Sequence, residues 1–238
     1  MRQLDIVLPC YNPLQNWAEA IIVNINNLKL LLSDTEIFIY LVNDGSTQGI
    51  QSADIDLLRA SIKNFNYLFF ADNQGKGFAL RKGIEATKHA ICIYTDVDFP
   101  YKIESMAAVY KALIEEENDI DAGIRDDTYN QEVTGTRAPL SKLLKFINSK
   151  VFHLPINDTQ CGIKGFNQKG RKIFLQTIIK RYLFDLEFVY LAAKDPLINF
   201  KAVPVTFRPG IFFRKFNTRI ILTEVTSFIK LLLHEYLR

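Results

Sequence analysis

The sequence predicts an α/β protein with a doubly wound, mainly parallel sheet and flanking helices, and three observations carry that expectation. Short apolar runs alternate with helical patterns over residues 1–100. Each of the first four runs ends in a polar or glycine-containing turn. The fourth run, Ala90-Ile91-Cys92-Ile93-Tyr94-Thr95, reads as a strand buried on both faces, and it closes on Asp96-Val97-Asp98.

Leu4 to Leu8 is the first strand, expected to stop at Pro9, and Ile37 to Val42 the second, bounded by Asn43-Asp44-Gly45-Ser46. Tyr67 to Ala71 and Ala90 to Thr95 are the third and fourth. Helical patterns near 15–32, 51–63 and 76–88 fall between them. A helix near 102–116 leads to a strand at Asp119 to Ile124 and then to Arg125, after which regular alternation stops. Leu140, Leu143, Leu144, Ile147, Val151 and Leu154 recur at helical spacing among Lys142, Lys145 and Lys150, which predicts an amphipathic basic helix. Helices near 168–180 and 184–194, a strand near 199–207 and a helix near 220–236 complete the reading.

At 238 residues the chain can be one α/β domain, and 48% apolar and 12% aromatic residues exclude a disordered or fibrous protein. Met1-Arg2-Gln3-Leu4-Asp5 enters a strand directly, so the expectation is a cytoplasmic protein without a leader. No apolar stretch reaches the roughly 18–20 residues that span a bilayer. Cys10, Cys92 and Cys161 are too few and too scattered for a zinc site or a disulfide framework. Charge is divided along the chain. Residues 1–136 hold 11 Lys/Arg against 20 Asp/Glu, and residues 137–238 hold 18 against 6. The basic half suits an anionic partner, including an anionic membrane surface, or simply balances the acidic half. No nucleic-acid partner is expected.

In open α/β sheets ligands bind outside the carboxyl ends of the strands. Two carboxylates one residue apart at such an end, Asp96 and Asp98, can aim at one Mg²⁺ or Mn²⁺ that keeps positions open for phosphate oxygens. Alone, an Asp-x-Asp is often a surface turn, and Asn43-Asp44-Gly45-Ser46 an ordinary β-turn. Asp44 is placed to accept hydrogen bonds from a nucleoside, Lys76 to face a phosphate, and Gly75 and Gly77 to let backbone approach a ligand. A dinucleotide fingerprint or a P-loop would need a glycine-rich turn after the first strand. Pro9-Cys10-Tyr11-Asn12 stands there instead.

The ordered set of Pro9-x-Tyr11-Asn12, Val42-Asn43-Asp44-Gly45-Ser46, Asn73-x-Gly75-Lys76-Gly77 and Asp96-x-Asp98 resembles the family 2 glycosyltransferases of GT-A fold. Asp158-Thr159-Gln160-Cys161-Gly162-x-Lys164 followed by Phe184-Asp185-x-Glu187 is similar to their dolichyl- and polyprenyl-phosphate glucosyltransferase branch. The resemblance implies a single Rossmann-like GT-A domain over 1–238. Its nucleotide-sugar-binding half would be 1–125, and its acceptor-side half, with a C-terminal acceptor-side segment, 126–238.

It further implies inverting transfer of glucose or a related hexose from a UDP-sugar, with Mg²⁺ or Mn²⁺ on Asp96 and Asp98. Pro9, Tyr11, Asn12, Asp44, Asn73, Gly75, Lys76, Asp96, Val97, Asp98 and Arg125 would form the donor site. Gln160, Lys164, Glu187, Arg208, Arg214 and Lys215 would face the acceptor, with Asp158 and Asp185 as catalytic candidates. On the bland reading Asp158 and Asp185 each cap the next loop or helix, and Arg208, Arg214 and Lys215 form a solvated loop. The branch usually ends in a Gly-Ser-Lys segment, and Phe207-Arg208-Pro209-Gly210-Ile211-Phe212-Phe213-Arg214-Lys215-Phe216 replaces it here. The acceptor is therefore a polyprenyl phosphate or, alternatively, a saccharide hydroxyl; the non-enzymatic alternative is a module that binds nucleotide sugar without turnover.

Overall fold

A computed structural model describes residues 2–125, 154, 156 and 158–209. Within them the chain runs β1 (Arg2–Cys10), α1 (Trp17–Leu31), β2 (Thr35–Asp44), α2 (Ser52–Ser61), β3 (Phe65–Phe70), α3 (Lys76–Ala86), β4 (Ile91–Tyr94), α4 (Ile103–Glu115), β5 (Ile120–Arg125), β6 (Lys164–Phe166), α5 (Gln168–Phe174), α6 (Phe184–Lys194) and β7 (Phe200–Val205). The described strands form one sheet in the order β3-β2-β1-β4-β6-β5-β7. Every pairing is parallel except those of β6, which runs antiparallel between β4 and β5.

Burial on both faces explains why the early strands are apolar throughout. Leu4, Ile6 and Leu8 of β1 meet Ile21, Ile25 and Leu28 of α1, in a layer with α2 and α4. Val7, Tyr40, Val42 and Tyr94 meet α3, α5 and α6 on the other side. Strand order reverses between β1 and β4, and this switch point opens a crevice at the carboxyl edge.

Three expectations about elements need correction. β1 does not stop at Pro9, which pairs with Val42; β4 follows β1 only as far as Val7, so one flank is open where the residue without an N–H falls. The helix expected near 168–180 ends at Phe174, and residues 175–183 form a loop. Lys164–Phe166, not expected as a strand, fills the middle of the sheet. The expected helices at 140–154 and 220–236 lie outside the described residues, Leu154 aside. No described helix is long and apolar enough to cross a membrane. All three cysteines are buried and unpaired; burial pushes the Cys10 thiol up to about 12 and Cys161 up to about 11, which leaves neither a nucleophile near neutral pH.

Candidate active site

After β4 the chain turns through Asp96-Val97-Asp98, closed by the Phe99 N–H donating to the Asp96 carbonyl at 3.0 Å. Val97 packs on the core, Asp96 is half-buried and Asp98 exposed. Asp96 Oδ1 lies 2.5 Å from Lys76 Nζ, at the first residue of α3. Burial alone would lower the Lys76 ammonium, but Asp96, and after it Asp185, outweigh that and hold it well above its ordinary range. Gly162 closes the other side: a Cβ there would stand 2.6 Å from Asp96 Oδ2. A side chain at 162 would displace the carboxylate.

A second charged pair lies underneath. Lys164, with no exposed surface, donates to the carbonyls of Thr159 at 3.0 Å and Cys161 at 2.8 Å and to Asp185 Oδ1 at 2.7 Å. Its three N–H bonds are thereby used. Tyr94 O–H donates to the same Asp185 oxygen at 2.5 Å. Lys164 therefore faces the interior and not an acceptor. Asp185 is 3% exposed, and its visible role is to hold the Lys164 and Tyr94 groups beneath the Asp96 turn.

Arg125 and Asp158 form a third pair, since Nε donates at 2.7 Å, Nη2 at 2.5 Å and the Arg125 backbone N–H at 3.0 Å to the Asp158 carboxylate. Burial would raise that carboxyl, but the Arg125 bonds and charge outweigh it and hold it below its usual range. So paired, Asp158 is a poor proton acceptor at neutral pH, and the fork of Arg125 grips Asp158. Glu187 also turns inward, accepting the N–H groups of Ile178 at 2.9 Å and Ile179 at 2.8 Å, so it does not face an acceptor.

The donor-side turns brace one another. Asp44, 2% exposed, accepts from Asn73 Nδ2 at 2.9 Å, Gln74 N at 3.0 Å and Gly75 N at 2.7 Å. Its carboxylate thus shapes the β3–α3 turn. Asn12 stitches β1 to β2: its N–H donates to Ser46 Oγ at 2.9 Å and its Oδ1 accepts from Thr47 N at 2.9 Å. Gly75 and Gly77 admit the carbonyls of Lys180 and Ile179, within 2.5 Å of where a Cβ would stand, so this glycine pair makes room for the backbone of the loop that follows α5. Pro9 is half-buried and Tyr11 exposed at the mouth of the crevice.

Arg208 Nη2 donates to the Asp98 carbonyl at 2.8 Å. Two buried side-chain nitrogens at this edge, Gln160 Nε2 and Arg208 Nε, have no hydrogen-bond partner among the described residues. Arg214 and Lys215 lie outside the described residues. Sequence reasoning gave Tyr94 no site role and quoted Thr159 and Gly162 only as part of a motif; a tyrosine at the end of a buried strand was the available signal, because a buried phenol needs a partner.

The carboxylates fit a divalent cation. Asp98 is raised by partial burial and by the neighbouring Asp96 charge, so two hard oxygen donors stand together in mutual repulsion that a cation would relieve. Among the described residues no group of three His, Cys, Asp or Glu could hold a metal by itself. A pair that leaves positions for phosphate oxygens and water is how Mg²⁺ is commonly held.

A crevice at the switch point of a mainly parallel sheet, lined by two carboxylates and a lysine, is where α/β folds bind their ligands. Residues 5–183 match the family model "Glycosyl transferase family 2", and the chain belongs to that family. It is 29% identical over 211 residues to the dolichyl-phosphate beta-glucosyltransferase of Dictyostelium discoideum, covering 80% of this chain and 62% of that protein. It is 25% identical over 232 residues to the enzyme of the same name from Saccharomyces cerevisiae, covering 85% and 66%. The chain thus spans about two thirds of the length of these relatives or less. Among solved structures, glucosyl-3-phosphoglycerate synthase from Mycobacterium tuberculosis, in complex with Mn²⁺, UDP and phosphoglyceric acid, superposes with TM-score 0.66 at 16% identity, over 98% of this chain and 78% of that one. Mannosyl-3-phosphoglycerate synthase from Rubrobacter xylanophilus gives TM-score 0.70 at 13% identity, over 97% and 73%. The fold is GT-A, as expected.

Proposed function

We propose that this chain transfers a hexosyl group, with glucose the leading candidate, from a UDP-sugar to the phosphate oxygen of a polyprenyl-phosphate lipid, with inversion. The carrying observation is that Asp158, Asp185 and Glu187 are each bound to a cation or to backbone N–H groups. None is placed as a ready base. A phosphate monoester needs none, since its second pKa near ~6 leaves it ionised at neutral pH. The names of the sequence relatives support the same acceptor class.

Asp96 and Asp98 would hold Mg²⁺ or Mn²⁺, which when bound neutralises charge on the departing diphosphate. Lys76, kept charged by Asp96 and Asp185, adds a fixed positive charge at the same edge. Asp44 and Asn12 keep the donor-side turns in place through their bonds to the neighbouring turns. Arg208, whose Nη2 donates to the Asp98 carbonyl, would meet a phosphate of donor or acceptor. The acceptor oxygen attacks C1 of the sugar as the C1–O bond breaks, and UDP leaves with the electron pair. Purified protein given a panel of UDP-sugars, Mn²⁺ and a short-chain polyprenyl phosphate tests the reading. A glycosyl phospholipid is expected, and transfer to a free saccharide alone would overturn it.

A further inference from the structure

The loop 175–183 is held far more firmly than an ordinary surface connection. Glu187, 3% exposed, accepts the Ile178 and Ile179 N–H groups. Arg81 Nη1 donates to the Ile179 carbonyl at 2.8 Å and to Thr177 Oγ1 at 3.1 Å. The Phe78 N–H donates to the Lys180 carbonyl at 3.0 Å, on the first turn of α3 beside Lys76. Thr177, Ile179 and Leu183 point inward and are buried.

What this scaffold presents outward is apolar and basic. Ile178 is 61% exposed, Tyr182 42% and Leu175 36%, and Lys180 is exposed between them with its ammonium 5.7 Å from the half-buried Phe78 ring. Arg181 is half-exposed beside Gly75. Scattered single apolar residues are normal on a surface, but a leucine, an isoleucine and a tyrosine within one pinned loop, interleaved with two cations, have the composition of a membrane interface. We propose that residues 175–183 dock the protein on an anionic bilayer, with Leu175, Ile178 and Tyr182 entering the headgroup region and Lys180 and Arg181 meeting lipid phosphates. The loop abuts the start of α3, one residue from Lys76, so docking there sets the candidate site at the surface from which a lipid phosphate would come. That purpose rests on the lipid-phosphate reading, but the docking itself does not.

The test uses the full chain, no donor and no acceptor, with flotation on vesicles of phosphatidylcholine with and without phosphatidylglycerol. Wild-type protein should float with the anionic vesicles. Leu175→Ser with Ile178→Ser should cut partitioning roughly tenfold or more, because both side chains would lose their burial in lipid. Lys180→Gln should weaken the salt-sensitive part. Val23→Ser with Leu30→Ser removes two exposed apolar side chains from α1 and should change nothing. UDP binding by calorimetry should be the same in all variants. Wild-type protein that ignores anionic vesicles, loop variants that float as well as wild type, or an equal loss in the α1 variant would each overturn the proposal. Transfer assays fail or succeed separately, so loss of the acceptor reading would leave this result standing.

Discussion

Replacing Lys164 with Met removes an ammonium that has no exposed surface and leaves Asp185 as a buried carboxylate without its cation. Breaking a buried pair from one side costs roughly 3–5 kcal/mol. The carbonyls of Thr159 and Cys161 also lose a donor, so a loss of at least ~4 kcal/mol is expected. That is a large part of the ~5–15 kcal/mol that stabilises a typical domain. For a domain of this size it corresponds to a fall in Tm of roughly 8–16 °C. Urea unfolding followed by circular dichroism measures it. Lys164→Met with Asp185→Leu removes both charges, and at least half of the lost stability should return. A single variant that loses less than ~1 kcal/mol and instead raises the KM for acceptor would refute the interior role and restore Lys164 to the acceptor site.

Other substitutions separate the remaining roles. Gly162→Ala should weaken metal-dependent UDP binding in calorimetry while leaving urea stability nearly unchanged, because its methyl group would push the Asp96 carboxylate aside. Asp98→Ala should abolish metal-dependent donor binding with the fold retained, since the side chain is exposed; near-wild-type turnover would remove it from the metal site. The Asp158 carboxyl is lowered in the folded state, so its pairing with Arg125 stabilises fully above the unfolded value near ~3.9 and is lost as pH falls through the folded value. Acid titration of stability should therefore show a limb in wild type that shrinks in Asp158→Asn.

The donor half was legible because its strands are buried on both faces and its turns carry polar residues at the carboxyl edge. The position of Asp96 and Asp98 at that edge follows from the pattern. The acceptor half was less legible for three physical reasons. Lys164 sits inside a central strand only because three internal acceptors satisfy it, and no local propensity announces them. Glu187 and Asp158 look like available carboxylates in sequence, and only the fold brings the Ile178 and Ile179 N–H groups and the Arg125 fork against them. The Gly75 and Gly77 pair reads as a ligand-approach motif, whereas its neighbours in space are the carbonyls of a loop about a hundred residues away. Sequence shows which polar residues fall at the edge, but not the partners that decide what each carboxylate can do.

The proposed acceptor brings its own negative oxygen, so that none of Asp158, Asp185 and Glu187 needs to serve as base. Chain-matched polyprenyl phosphate and polyprenol, offered separately to the purified protein with Mn²⁺ and the UDP-sugar that it binds best, test this most directly. The phosphate should be glycosylated and the alcohol left untouched at every pH where the phosphate is ionised. Comparable transfer to the alcohol would mean that a base operates in this site and would contradict the account.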